Sequence, residues 1–146
     1  MGLAGKQLLA REVARLAHNV GWRDRDVIIA TAICSAESSR YTQADNTDAQ
    51  GQPTNPDGSI DYGLWQINSV HIGQVIAGAP VTVERLLDPV SNARIAYALY
   101  LDQSWTPWAA YASGAYLAQV EGAIIGVKNY WFERYDVPLP TAEKAG

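Results

Sequence analysis

The sequence contains one cysteine, one methionine and one phenylalanine among its 146 residues. A lone thiol, Cys34, can form neither an intramolecular disulfide nor a cysteine-built zinc site, so the fold must stand on packing alone. Charge is sparse as well. Only 18% of residues are Asp, Glu, Lys or Arg, and 11 basic against 15 acidic side chains give a net charge of −4. Without a basic stripe the chain lacks the footprint of a nucleic-acid binder. No stretch of about 20 apolar residues is present, which excludes membrane insertion by a helix. The longest uncharged run in the middle of the chain, residues 104–120, is broken by Pro107 and several polar groups. The N-terminus lacks the basic-then-apolar order of a signal peptide, so the expectation is a protein made without classical export, or a piece of a larger parent with further domains. With 12 Gly and 7 Pro the chain is also far from collagen or low-complexity composition.

What is present is an apolar complement of 48%, enough for one domain with a real core. The expected boundaries are residues 1–136 for the domain and 137–146, with Pro138 and Pro140, for a tail or linker. Five Trp and eight Tyr stand against the single Phe. Such side chains combine a flat apolar face with a polar edge, which suits sugars, although an ordinary core can also be built from them.

Helical spacing predicts a first helix over 6–20, carried by Leu9, Val13, Leu16 and Val20 and stopped at Gly21. Asp24 or Asp26 caps a second helix filled by Val27, Ile28, Ile29, Ile33 and Cys34, apolar nearly all round and therefore central. Residues 40–62 are crowded with Asn, Asp, Gln, Gly and Pro, and read as a loop or small β-hairpin turning at Asn55-Pro56-Asp57-Gly58. A polar insertion of this length inside a compact domain is usually functional or disordered. A further helical signal spans 70–76 and a short turn follows at 83–87; then come a helix opened by Asp88-Pro89, a short one opened by Thr106-Pro107 and ending at Gly114, and a last one over 116–131. The fold class expected is mainly α with a small β-hairpin.

Glu37 closes the central helix after Ala30, Ile33, Cys34 and Ala36. By itself it reads as a surface residue at a helix end. Partial desolvation there would raise its pKa and suit it to general-acid work. The segment Asp61-Tyr62-Gly63-Leu64-Trp65-Gln66-Ile67-Asn68-Ser69 follows Asn55-Pro56-Asp57-Gly58-Ser59-Ile60. The whole run resembles the β-hairpin motif of animal c-type lysozymes. The Glu37-Ser38 pair before Gly63-Leu64-Trp65-Gln66, and the segment from Trp105 to Leu117, are similar to bacterial lytic transglycosylases. Over about residues 26–120 the chain thus resembles the lysozyme-like glycosidase superfamily.

That resemblance implies a lysozyme-like fold without disulfides, Glu37 as catalytic acid and Asp61 as second carboxylate. It implies substrate contacts from Asn55, Trp65, Gln66, Asn68, Trp108 and Tyr111, and an apolar wall against the acid from Trp105 or Trp108. Cleavage would fall on the β-1,4 bond between N-acetylmuramic acid and N-acetylglucosamine, with bacterial peptidoglycan as partner and no cofactor. The setting implied is a bacteriophage endolysin or tail-associated lysozyme, held in the host cytoplasm until release or carried on the virion tail. Two alternatives stay open: a lytic transglycosylase using Glu37 alone, and a non-catalytic saccharide-binding virion module. The segment from Glu37 to Asp61 is longer than in c-type lysozymes, which leaves Asp45, Asp48 and Asp57 as rivals for the role of Asp61.

The contrast between the two carboxylates is legible without the resemblance. Glu37 leaves an apolar helix and Asp61 leaves a polar hairpin, so their pKa values should separate with Glu37 the higher. Other residues carry less. His18 and His71 lie far apart without a ligand pattern, and no metal is expected. Cys34 reads as a buried inert thiol. Asp45, Asp48 and Asp57 lack the spacing of a calcium loop. Tyr111 is a site residue or a core aromatic.

Overall fold

A computed structural model of the chain describes residues 2–135; the expected tail at 137–146 lies outside the described residues. Helix α1 (Ala10–Val20) turns Val13, Ala14 and Ala17 inward. The Glu12 carboxylate reaches back to accept the Leu9 N–H at 2.9 Å, satisfying one of the free donors of the first turn. The chain before it does not continue the helix to Lys6. Leu8 N–H donates to the Arg40 carbonyl and Thr42 N–H to that of Lys6, so residues 6–8 are held extended along 40–42.

Helix α2 (Arg25–Ser38) is the central element, with Val27, Ala30, Thr31, Ile33 and Cys34 all buried. Even Thr31 is satisfied, its hydroxyl donating to the Val27 carbonyl at 2.8 Å. Helices α1 and α6 (Val120–Tyr135) pack against it and against each other. A side chain at Gly126 would press into Ala10, so glycine there sets how closely α1 and α6 cross. Asp24 occupies the position before α2, but its carboxylate makes no capping bond. Its backbone (φ 54°, ψ −131°) lies in a region glycine favours, at a cost on the order of 1–3 kcal/mol.

The polar stretch forms a small sheet, though not where expected. Strands β1 (Asp61–Tyr62) and β2 (Ile67–Asn68) pair antiparallel, Asp61 opposite Asn68 and Tyr62 opposite Ile67. The hairpin therefore turns at residues 63–66. Asn55–Gly58 is a separate turn, closed by the Gly58 N–H on the Asn55 carbonyl. Gly63 (φ 77°) permits the bend, and a Cβ there would collide with the Leu86 carbonyl. The helix expected at 70–76 is also replaced. A 3₁₀ turn at Ser69–His71 gives way at Gly73 (φ 92°) to a second hairpin, β3 (Val75–Ile76) with β4 (Ala79–Pro80). The Arg85 guanidinium, on α3 (Val83–Leu87), donates to the carbonyls of Ile76, Ala79 and Pro80 and ties that hairpin down.

Helix α4 (Pro89–Gln103) starts as the sequence suggests, with Asp88 capping the Ser91 N–H at 2.9 Å. Helix α5 (Ala109–Ala112) starts later than Thr106-Pro107, because Thr106 bonds back to the Gln103 carbonyl and Trp108 takes the capping position. A 3₁₀ segment at Ala115–Gln119 leads into α6. Among the described residues the architecture is mainly helical with two small antiparallel hairpins, and the single cysteine makes no disulfide. No described helix is long and apolar enough to cross a membrane.

Candidate active site

Glu37 lies in the last turn of α2. The chain leaves the helix abruptly after it, because Ser39 (φ 52°) and Arg40 (φ 66°) are both left-handed. Ser38 secures this exit: buried, it donates to the Cys34 carbonyl and accepts the Arg40 N–H. Arg40 is itself pinned to the Leu8 carbonyl and the Ser35 hydroxyl. Glu37 is half-buried, less enclosed than a fully sequestered acid. Its Oε2 accepts the backbone N–H of Ala110 at 3.1 Å, at the start of α5. Burial pushes its pKa upward; the Ala110 N–H opposes this, and the charge of Asp61 adds to the rise. Glu37 is thus within reach of the field of Asp61.

Asp61 is held in the opposite manner. Its Oδ2 accepts from Asn46 Nδ2 at 2.9 Å and Asn55 Nδ2 at 3.2 Å, and its Oδ1 accepts from Asn68 Nδ2 at 2.8 Å. Asn46 grips it twice, since its Oδ1 also accepts the Asp61 N–H at 2.7 Å. The Ser59 hydroxyl oxygen accepts from both Asn55 and Asn68, and that hydroxyl donates to Asp57. Asn55, Pro56, Asp57, Ser59, Asp61 and Asn68 together line an open depression of about 420 Å³. Of the rivals to Asp61, Asp45 and Asp48 each serve backbone N–H groups of their own loop and Asp57 serves Ser59.

The aromatic residues sort differently from expectation. Trp65 and Trp108 are 0% and 2% exposed, so neither offers a face to a sugar. They are posts instead. Trp65 Nε1–H donates to the Ala30 carbonyl of α2, and Trp108 Nε1–H donates to the Trp65 carbonyl. Two indoles thereby lock the hairpin to α2 and the start of α5 to the hairpin, which sets Ala110 opposite Glu37. Trp105 is also core, stacked on Trp22 at 5.8 Å. Tyr111 is 36% exposed, packed between Trp105 and Tyr116 with ring centroids 6.0 and 5.0 Å away. Gln66 spends its amide N–H groups on the Ala44 and Gly63 carbonyls, bracing the hairpin against the polar loop.

Two residues escaped the sequence reading. Asn46 sits in the polar stretch with nothing in its spacing to tie it to Asp61, fifteen positions away. Asn92, fully buried on α4, accepts the Trp65 N–H and donates to the Tyr62 and Leu86 carbonyls. A polar residue between the apolar Val90 and Ala93 of α4 was the available signal for it. Cys34 is buried, and desolvation pushes its thiol up to about 12, so it is no nucleophile. Among the described residues no three His, Cys, Asp or Glu side chains converge as a metal site requires.

No curated protein matches the chain. The sequence pattern of the lysozyme-like domain family matches residues 14–110, a stretch that contains Glu37, the Asn46–Asn55–Asn68 cradle of Asp61, and Ala110. With that match spanning most of the chain and the helical fold around a small hairpin agreeing with it, the protein belongs to the lysozyme-like domain family.

Proposed function

We propose that this protein is a peptidoglycan muramidase that cleaves the β-1,4 bond between N-acetylmuramic acid and N-acetylglucosamine. Glu37 is the general acid and Asp61 the second carboxylate. The observation that carries the reading is the pairing of a half-buried acid, raised in pKa, with a carboxylate immobilised by three amides and close enough to be felt by the first. Glycosidic cleavage needs both: a proton for the leaving oxygen and a negative charge beside the oxocarbenium-like transition state.

The hydrogen bonds suggest which atoms act. Ala110 N–H occupies Glu37 Oε2, so the transferable proton belongs on Oε1. Asp61 Oδ2 already accepts two amide donors and Oδ1 only one, so Oδ1 retains the lone pair that meets the sugar C1 or its water. Tyr111, its ring packed between Trp105 and Tyr116, leaves its exposed edge and hydroxyl to meet sugar hydroxyls at the rim. Asn55 and Asn68 act by holding Asp61, and Trp65 and Trp108 act only through the framework.

A lytic transglycosylase is the second reading, favoured by the Glu37-Ser38 pair and by the Trp105-to-Leu117 segment with Tyr111 exposed. The two separate by products. Mass spectrometry of digested peptidoglycan should show reducing N-acetylmuramic acid ends carrying the mass of water. Exclusively 1,6-anhydromuramic ends would remove Asp61 from the mechanism and establish the second reading. A lysozyme-like fold completed with one buried thiol supports synthesis in a reducing cytoplasm, as in a bacteriophage lysis or tail protein.

A further inference from the structure

We propose that residues 2–8 are a positioning strap for the proposed catalytic pair, holding in register the segment that runs from Glu37 to the Asn46 grip on Asp61. The inference rests on the roles proposed for Glu37 and Asp61, and adds to them an element that bonds to neither carboxylate.

The segment after Glu37 takes its shape from outside itself. Between the end of α2 and β1, residues 40–45 belong to no helix and no regular strand. Three of their amides are satisfied by the strap. Thr42 N–H donates to the Lys6 carbonyl at 3.0 Å, Gln43 N–H to that of Ala4 at 3.0 Å, and Asp45 N–H to that of Gly2 at 2.9 Å. Donors of the strap point back: Leu8 N–H to the Arg40 carbonyl at 2.9 Å, Gly2 N–H to the Asp45 carbonyl at 3.1 Å and Lys6 N–H to Thr42 Oγ1 at 3.1 Å. Gly5 (φ 79°) fixes how closely the two run. A Cβ there would stand 2.4 Å from Thr42 Oγ1 and 3.0 Å from the Gln43 nitrogen.

Each end of the strap lies beside the support of one carboxylate. At one end Leu8 is buried in the core and its carbonyl accepts Arg40 Nε at 2.9 Å, while Gln7 Nε2 donates to the Ser39 carbonyl at 3.0 Å. Ser39 and Arg40 are the left-handed pair through which the chain leaves the helix of Glu37. At the other end Gly2 pairs with Asp45, and Asp45 pairs on its far side with Tyr62, the neighbour of Asp61. Asn46, next along the chain, holds Asp61 by two bonds. The layer therefore runs Gly2, Asp45, Tyr62, Ile67, with the strap at its edge. A strap joined to both supports sets how far apart they stand.

The test is Gly5→Ala, which drives a methyl group into Thr42. Gly78→Ala is its control, because it puts a side chain on an equally left-handed backbone (φ 87°) but in open space. The first readout is the Glu37 carboxyl, followed by ¹³C NMR through a pH titration. The Asp61 charge contributes to the raised pKa of Glu37, so a slipped strap should lower that pKa in Gly5→Ala and leave it in place in Gly78→Ala. An unchanged titration in folded Gly5→Ala overturns the proposal and leaves the proposed function standing. A lowered pKa with undiminished kcat supports the strap and counts against the catalytic roles. With both readings correct, kcat should fall about tenfold while KM stays within about twofold, the effect of a small misplacement. That loss should largely disappear when Gly5→Ala is made in an Asn46→Ala background, since the strap acts through Asn46; additive losses overturn the proposal. If Gly5→Ala does not fold, Thr42→Val replaces it, removing only the acceptor of the Lys6 N–H. The Glu37 pKa should then move in the same direction by less, and no movement overturns the proposal.

Discussion

Glu37 and Asp61 are both carboxylates, near enough for the charge of Asp61 to raise Glu37, yet the molecule treats them oppositely. Glu37 ends a buried helix, receives a single backbone N–H and is raised in pKa mainly by desolvation. Asp61 starts a two-residue strand in a polar loop and is gripped by the side chains of Asn46, Asn55 and Asn68. One surrounding withholds solvent and the other replaces it with fixed dipoles. In the proposed mechanism the first suits a proton donor, and the second suits a carboxylate that needs no reorganisation as positive charge develops opposite it. A single fold thus gives one functional group two surroundings by placing it on two kinds of element.

Glu37→Gln tests the desolvated side and has the largest expected effect. The amide keeps the shape but has no proton to give, so wall lysis should fall at least about a hundredfold while circular dichroism is unchanged. Near wild-type lysis would end the assignment. The same substitution should raise the melting temperature at pH 7. A raised pKa means that the folded state holds the proton more tightly than the unfolded chain. The stability this group contributes is then fully present below its unfolded value of 4.5 and lost as pH rises through the folded one. Gln removes that loss at neutral pH, and its advantage should vanish in melts run below the unfolded value.

Asp61→Asn tests the amide-held side. Its new NH₂ group must face an Asn donor, so the cradle loses registry as well as charge. Activity should drop by roughly ten- to a hundredfold. Because the Asp61 charge raises Glu37, the alkaline limb of kcat/KM against pH should move to lower pH in this variant. A limb that stays in place would mean that the two groups are not coupled in solution.

Asn46→Ala sharpens the comparison further, since it leaves both carboxylates in place. Losing both bonds that Asn46 makes to Asp61 should lower kcat about tenfold with little change in KM, a split measurable on a chromogenic chitooligosaccharide. A KM effect without a kcat effect would recast Asn46 as a substrate contact. Smallest in activity is Trp65→Phe. It deprives the Ala30 carbonyl of its donor and should cost about 1–2 kcal/mol in urea unfolding, while kcat/KM of the folded fraction stays within about twofold. A selective rise in KM would restore Trp65 to the substrate-contacting set.

Local rules made several features legible in the sequence. Helical periodicity marked α2 as central, the Asp88-Pro89 pair opened α4, and the apolar run before Glu37 foretold its raised pKa. They failed where partners are distant. Nothing near Lys6 says that its carbonyl will pair with Thr42, and nothing near Val70 outweighs the left-handed Gly73. The sugar-facing role expected of Trp65 and Trp108 failed for the same reason, since a motif gives residue types but not which face is buried.

What the sequence by itself determined is therefore the helical frame and the unlike chemistry of the neighbourhoods of Glu37 and Asp61. These follow from periodicity and composition within a few residues of each group. What only the tertiary structure decided is the Ala30–Trp65–Trp108 linkage that sets Ala110 against Glu37, and the reach of Asn46 across the polar loop to Asp61. Those bonds join residues 15 to 73 positions apart. Their geometry comes from loop closure and core packing, which no local pattern encodes.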